Sequence, residues 1–238
     1  MNVGRRAFLA ASAASTMVGP AVHAQTVGVP AVASLALNLV TAQAAEYHGR
    51  QALKIALTDA RQRVVTAGGA GAGNEATVAL LPGEYGNFVM EADIAAEVNG
   101  KGPPDVRGFA GLAFRADPSF ARFEAIYLRM TNGTLAVPPP GPPRDVRAVQ
   151  YIAHPDFHFD VSRARAPGVY EKAAPVAPAR WLRVRLEVEG PRARFLVDGT
   201  LVLDVADLRS GANGRGRVGL FVDDGTDGFF ANVSVRPA

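Results

Sequence analysis

WLRVRLEVEGPRARFLVDGTLVLDV, from Trp181 to Val205, is the stretch that decides the fold. In its first half Leu182, Val184, Leu186 and Val188 alternate with Arg183, Arg185, Glu187 and Glu189. Successive side chains on a strand point to opposite faces, so this pattern is a half-buried strand, one face in a core and the other wet. The second half sets Asp198-Gly199 between two apolar runs. That marks a tight hairpin turn, because glycine tolerates the positive φ such turns require.

The same pattern extends outward through the chain. Asn87 to Val98, Arg107 to Asp117, Ala121 to Gly133, Arg217 to Asp224 and Gly228 to Pro237 read as strands, and ALKIALTDA (Ala52 to Ala60) as another. No sustained stretch of the mature chain carries a 3.6-residue apolar period with caps at both ends. Many short alternating strands separated by Gly, Pro, Asn and Asp imply two antiparallel sheets packed face to face. AGGAGAG (Ala67 to Gly73) and VPPPGPP (Val137 to Pro143) are short enough to be loops.

The first 24 residues read as an export signal peptide: a short basic start, an apolar stretch from Ala7 to Val22, and small residues at Val22 and Ala24 that favour cleavage after Ala24. Arg5-Arg6 followed by Phe8 and Leu9 is similar to a twin-arginine signal, although Gly4 stands where that pattern has Ser or Thr; a Sec signal is the alternative. The apolar stretch is too short and too rich in Ala and Ser to span a membrane, which takes about 20 strongly apolar residues. The expected location is periplasmic or secreted. Residues 25–36 are expected to be a flexible mature N-terminus, and 37–238 a single sandwich domain.

Removing that segment takes away two arginines and no acid, leaving 23 basic against 22 acidic residues. Interleaved and nearly balanced charge gives no concentrated basic field, so neither nucleic acid nor an anionic membrane is an expected partner. With no cysteine in the chain, disulfides, thiolate metal sites and cysteine nucleophiles are excluded.

The order of motifs resembles the concanavalin A-like, laminin-G-like β-sandwich superfamily. YHGRQALKI (from Tyr47), GFAGLAFRAD, FEAIYLRMTNG, AVQYIAHPDFHFD, W-x-R-V-R-L-E-V, FLVDG and the closing GRVGLFVDDGTDGFFANVSV carry the likeness, from about Leu37 to Val235. Within that superfamily the chain is similar to exported bacterial domains related to the 3-keto-disaccharide hydrolase family. The resemblance implies an all-β jelly roll of the lectin/glucanase type whose concave sheet can hold a saccharide.

Several residues are candidates for function. On the FEAIYLRMTNG strand, Arg122, Glu124, Ile126 and Leu128 share one side, and Phe123, Ala125, Tyr127 and Arg129 the other. Arg129 offers paired hydrogen bonds and Tyr127 an aromatic edge, a combination suited to saccharides; a structural Arg–Glu pair is the alternative. RAVQYIAHPDFHFD (Arg147 to Asp160) concentrates His154, Asp156 and His158. If extended it presents two imidazoles and a carboxylate to one space, for acid/base work or a metal. The favoured reading is a loop pinned by Phe157 and Phe159, with the two histidines as hydrogen-bonded struts. Gln150, Tyr151, Tyr170 and Glu171 are placed at a pocket rim. Glu91, Asp93 and Glu97 approximate a glycosidase carboxylate pattern with one residue too many, and read as a solvated face. Asp223, Asp224 and Asp227 are calcium candidates that a turn explains equally well. No other cofactor is implied.

A glycan-binding sandwich is therefore expected. A glycoside hydrolase or 3-keto-glycoside hydrolase/lyase using Glu124 or His154 is the enzymatic alternative, and an adhesive or scaffold domain a third.

Overall fold

The computed structural model describes residues 1, 25–26, 28–68 and 74–238. Residues 2–24, on which the expected export signal falls, residue 27, and residues 69–73 of the glycine-rich loop lie outside the described residues. Among the described residues, fifteen strands form two antiparallel sheets. The eight-stranded sheet contains β1 (Gln25–Thr26), β3 (Val40–Tyr47), β4 (Arg50–Leu57), β6 (Phe88–Val98), β11 (Leu182–Glu189), β12 (Arg192–Val197), β13 (Thr200–Val205) and β15 (Thr226–Pro237). Its order is β13-β12-β11-β6-β15-β4-β3, with β1 also paired to β15. The seven-stranded sheet contains β2 (Ala36–Asn38), β5 (Val78–Leu80), β7 (Phe109–Ala116), β8 (Phe123–Arg129), β9 (Val149–His154), β10 (Glu171–Lys172) and β14 (Arg217–Val222), in the order β10-β9-β8-β7-β14-β5-β2.

The alternation of the opening stretch does what it implies. Leu182, Val184, Leu186 and Val188 are buried together with Phe88, Met90 and Ile94 of β6, the strand that β11 pairs with. Across the sandwich they meet Leu112 and Phe114 of β7, Ile126 and Leu128 of β8, Tyr151 of β9 and Leu220 of β14. Burying each such large apolar side chain stabilises by about 1.5–3 kcal/mol relative to exposure. The β12–β13 hairpin turns through Asp198 at φ 47° and Gly199 at φ 81°. Positive φ at both central residues is the type I′ turn that matches strand twist.

Two short α-helices accompany the strands among the described residues. α1 (Asp59–Gly68) begins where the strand assigned to Ala52 to Ala60 was expected to continue; β4 stops at Leu57. Thr58 caps the helix, its hydroxyl accepting from Arg61 N at 3.2 Å. The helix buries Arg61, Gln62 and Val65, so it lacks the apolar stripe that periodicity would detect. α2 (Phe159–Arg165) follows β9 after a tight reversal in which Ala153 and Phe157 exchange backbone hydrogen bonds at 2.8 Å. Residues 25–36, expected to be flexible, carry β1 and a 3-10 turn at Val32–Ser34, and Gly28 O accepts from Val233 N at 3.1 Å. No helix among the described residues is long and apolar enough to cross a membrane.

Candidate functional site

Alternation on β8 sends Ile126 and Leu128 into the core, and Glu124 with them, while Phe123, Ala125 and Tyr127 join a second cluster on the outer face of the seven-stranded sheet. Gly111 of β7, opposite Tyr127, lets the two backbones approach there: a Cβ would stand 2.3 Å from the Ile126 carbonyl oxygen and 2.4 Å from Tyr127 Cα. A groove of about 230 Å³ opens on this face. Its floor includes Tyr127, Ile152 and Phe221, with the Tyr127 and Phe221 rings 5.0 Å apart and the Phe109 ring edge-on to Tyr127 at 6.1 Å.

Arginines crowd one part of the lining. Glu171, 5% exposed, lies beneath the groove and is shared by three guanidinium groups. Arg163 makes contacts of 2.7–3.0 Å, Arg147 lies at 3.2 Å and Arg129 at 3.6 Å. Arg129 also donates to the Tyr127 hydroxyl at 3.0 Å and to Gln150 Oε1 at 3.2 Å. Gln150 is fully buried, its amide donating to the Tyr151 and Tyr170 carbonyls. Arg144 donates to Asn132 at 2.9 Å, and Arg107 lines the same groove. Burial and then the like charge of Arg144 lower the Arg107 pKa.

Asp223 and Asp224 complete the lining at the end of β14. Asp224 N donates to Asp223 Oδ1 at 2.8 Å. Both carboxyls are held above the ordinary carboxylate range. Burial is the main cause, followed by the charge of Asp224 for Asp223 and of Asp105 for Asp224, with Arg61 opposing both shifts. The groove thus offers protonatable acids, guanidinium donors and aromatic surface within one small space.

The residues singled out from sequence divide between several places. Arg129 and Tyr127 belong to the groove, but both are buried, at 5% and 4% exposure, with Arg129 committed to Glu171. Gln150 and Tyr151 do not share a rim: neighbours on β9 face opposite ways, and Tyr151 lies in the core with its hydroxyl accepting from Arg209 N at 3.0 Å. Glu171 supports the groove from below.

Glu124 and His154 instead line a separate cavity of about 500 Å³, together with Arg115 and Arg209. Glu124 accepts from Ser210 N at 2.6 Å, its Oε2 has no hydrogen-bond partner, and burial raises its pKa. His154 Nδ1 lies 3.2 Å from His158 Nε2, and the His154 ring stacks on Phe123 at 5.1 Å. The two histidine rings meet edge-on across the reversal. Phe157 is buried in the core, whereas Phe159 faces the groove, so these phenylalanines diverge.

On the eight-stranded sheet each carboxylate of the glycosidase-like pattern is engaged. Glu91 pairs with Arg185 at 3.1 Å, Asp93 with Arg50 at 3.0 Å, and Glu97 accepts from the Tyr47 hydroxyl at 2.8 Å. Asp227 does not line the groove with Asp223 and Asp224; it pairs with Lys54 and accepts from Asn99 at 3.1 Å. Among the described residues no group of three or more His, Asp or Glu side chains is arranged to hold a metal ion.

Sequence reasoning missed Arg107, Arg144 and Arg163, and with them the character of the groove. The available signal was the density of arginines between Arg107 and Arg165.

No protein-family model and no curated protein matches the chain. Solved structures do match. A carbohydrate-binding module, CBM66, from Bacillus subtilis superposes with a TM-score of 0.50 at 16% identity, covering 84% of this chain and 96% of its own. A Bacillus subtilis protein of unknown function with a galectin-like fold superposes with a TM-score of 0.54 at 12% identity, covering 86% and 90%. The chain therefore shares with these structures a two-sheet antiparallel β-sandwich of the jelly-roll kind, the fold expected from its sequence.

Proposed function

We propose that the protein is an exported saccharide-binding sandwich whose ligand lies in the groove over Tyr127 and Phe221. The observation that carries this reading is the groove itself: half-buried Phe109 and Phe159 beside Arg107, Arg144, Asp223 and Asp224. Sugars present apolar C–H faces and hydroxyls that both donate and accept, so they need aromatic surface flanked by donors and acceptors. The likeness to a carbohydrate-binding module supports the reading as fold-level analogy. Export rests on Arg5-Arg6 and the small residues before Gln25.

A glycan-array screen of the protein beginning at Gln25 tests the proposal, with Arg107→Ala as the groove variant. Binding that Arg107→Ala weakens by about 1.5–3 kcal/mol, at unchanged melting temperature, supports it. Equal binding by both proteins sinks it. A hydrolytic reading has one observation in its favour, the raised pKa values of Asp223 and Asp224, since an acid kept protonated near neutral pH can donate to a leaving group. In that case Asp223→Asn abolishes turnover of a bound glycan and retains its affinity.

A further inference from the structure

The outer face of the eight-stranded sheet carries an arrangement that the groove does not use. At the end of β3 the Tyr47 ring stacks on Phe229 of β15 at 3.7 Å and 10°. Trp181, just before β11, meets Tyr47 edge-on at 6.0 Å and donates its indole N–H to the Tyr47 carbonyl at 3.2 Å. The indole is fixed at its base and half-buried. It lines a cavity of about 470 Å³ together with Arg50, Asp93, Arg183, Asp198 and Asn232. That volume falls in the range of about 300–1,000 Å³ usual for small-ligand sites.

The polar lining is orderly and electrically compensated. Asp93 accepts from Arg50 at 3.0 Å and from Asn232 at 2.7 Å, and Asp198 Oδ1 accepts from the Arg183 backbone N–H at 2.9 Å. Arg50 also lies 5.3 Å over the Trp181 ring, which holds its guanidinium beside Asp93. Arg50 and Arg183 stand against Asp93 and Asp198, and the third lining carboxylate, Glu91, is paired with Arg185, so little net charge remains to attract an ion. What remains is a rigid aromatic wall beside fixed acceptors and donors, which suits the apolar face and hydroxyls of an uncharged sugar.

From this geometry we infer that the protein has a second saccharide site, centred on Trp181, that takes a neutral sugar residue of a glycan chain. Trp181 packs against the sugar's C–H face, while Asp93 and Asp198 accept from its hydroxyls and Arg183 and Asn232 donate to them. The site lies on the opposite sheet from the groove and shares no lining residue with it. It stands whether or not the groove binds anything.

Trp181 is the only tryptophan in the chain, so intrinsic tryptophan fluorescence reports this site directly. Titration with cellohexaose, maltohexaose and xylohexaose is expected to give a saturable change with at least one of them. By calorimetry Trp181→Ala should weaken that binding tenfold or more, and Arg183→Ala severalfold. Should Trp181→Ala fail to fold, Trp181→Phe and Arg183→Ala, read by calorimetry, decide. The inference is overturned if no oligosaccharide alters the fluorescence, if the variants bind like wild type, or if Arg107→Ala abolishes the response while Arg183→Ala leaves it intact. In the last case the groove holds the sugar; loss of groove binding alone leaves the Trp181 site standing.

Discussion

The two outer faces of the sandwich use the same residue types to opposite effect. On the seven-stranded sheet, Arg129, Arg147 and Arg163 converge on a Glu171 side chain that is 6% exposed. On the eight-stranded sheet, Arg185 bridges Glu91 and Glu187 with side chains 22–34% exposed, and Arg192 pairs with Asp204 in the open. Water screens the second set, so its pairs contribute little, whereas in the first set Glu171 and Arg129, each 6% exposed, have given up their hydration and depend on their partners, with Arg147 and Arg163 reaching Glu171 from the solvent side. Burial, not the count of ion pairs, separates a charge network that shapes a site from one that keeps a surface soluble.

Breaking the buried network should have the largest effect. Glu171→Gln takes the carboxylate away from the buried Arg129 guanidinium, and from Arg147 and Arg163 at its solvent side, and a loss of roughly 3–5 kcal/mol in chemical denaturation is expected. A loss below 1 kcal/mol would place the network in the class of the exposed ladder. On the eight-stranded sheet the vulnerable point is backbone rather than charge. Gly199→Val forces a β-branched residue to φ 81° and should cost about 1–3 kcal/mol, read as a lower melting temperature.

A smaller effect is expected at the histidine brace. His158→Gln should cost roughly 1–2 kcal/mol at pH 8, because His154 loses its ring partner. Burial, then His154, lowers the His158 pKa from 6.5 to about 4. The unfolded chain therefore takes up the proton first, and stability falls as pH drops from 6.5 toward 4. His158→Gln should flatten that slope in melting curves taken across the window. Asp223 and Asp224 act in the opposite sense: their raised pKa values favour the folded state at low pH, a contribution lost as pH rises through them. The smallest effect belongs to the exposed ladder, where Arg185→Ala should change stability by less than about 1 kcal/mol. A larger loss would erase the contrast between the faces.

The architecture was largely legible because β6, β11, β12 and β13 write their burial in alternation and their turn in Asp198-Gly199. α1 was not, since a helix that buries Arg61 and Gln62 has no apolar stripe and announces itself only through Thr58. Groove and brace differ in the same way. His154 and His158 are four residues apart, and their nearness could be read locally. The groove draws Arg107, Tyr127, Arg144 and Asp223 from distant segments, and only the strand order β9-β8-β7-β14 brings them together. Glu171 looked like a rim residue because nothing in its neighbourhood shows that three arginines cover it.

The place of β15 sets the timing of assembly. It is last among the described strands in sequence yet lies in the middle of its sheet, between β6 and β4. Until a ribosome has delivered Thr226 to Pro237, the β13-β12-β11-β6 block and the β4-β3 hairpin have nothing to join them edge to edge. Pairings of such sequence separation are slow to form, and the half-sheets wait with open edges. Closure of this sandwich is an event of the whole chain, and a nascent polypeptide halted before Thr226 should remain a substrate for chaperones rather than a partly finished domain.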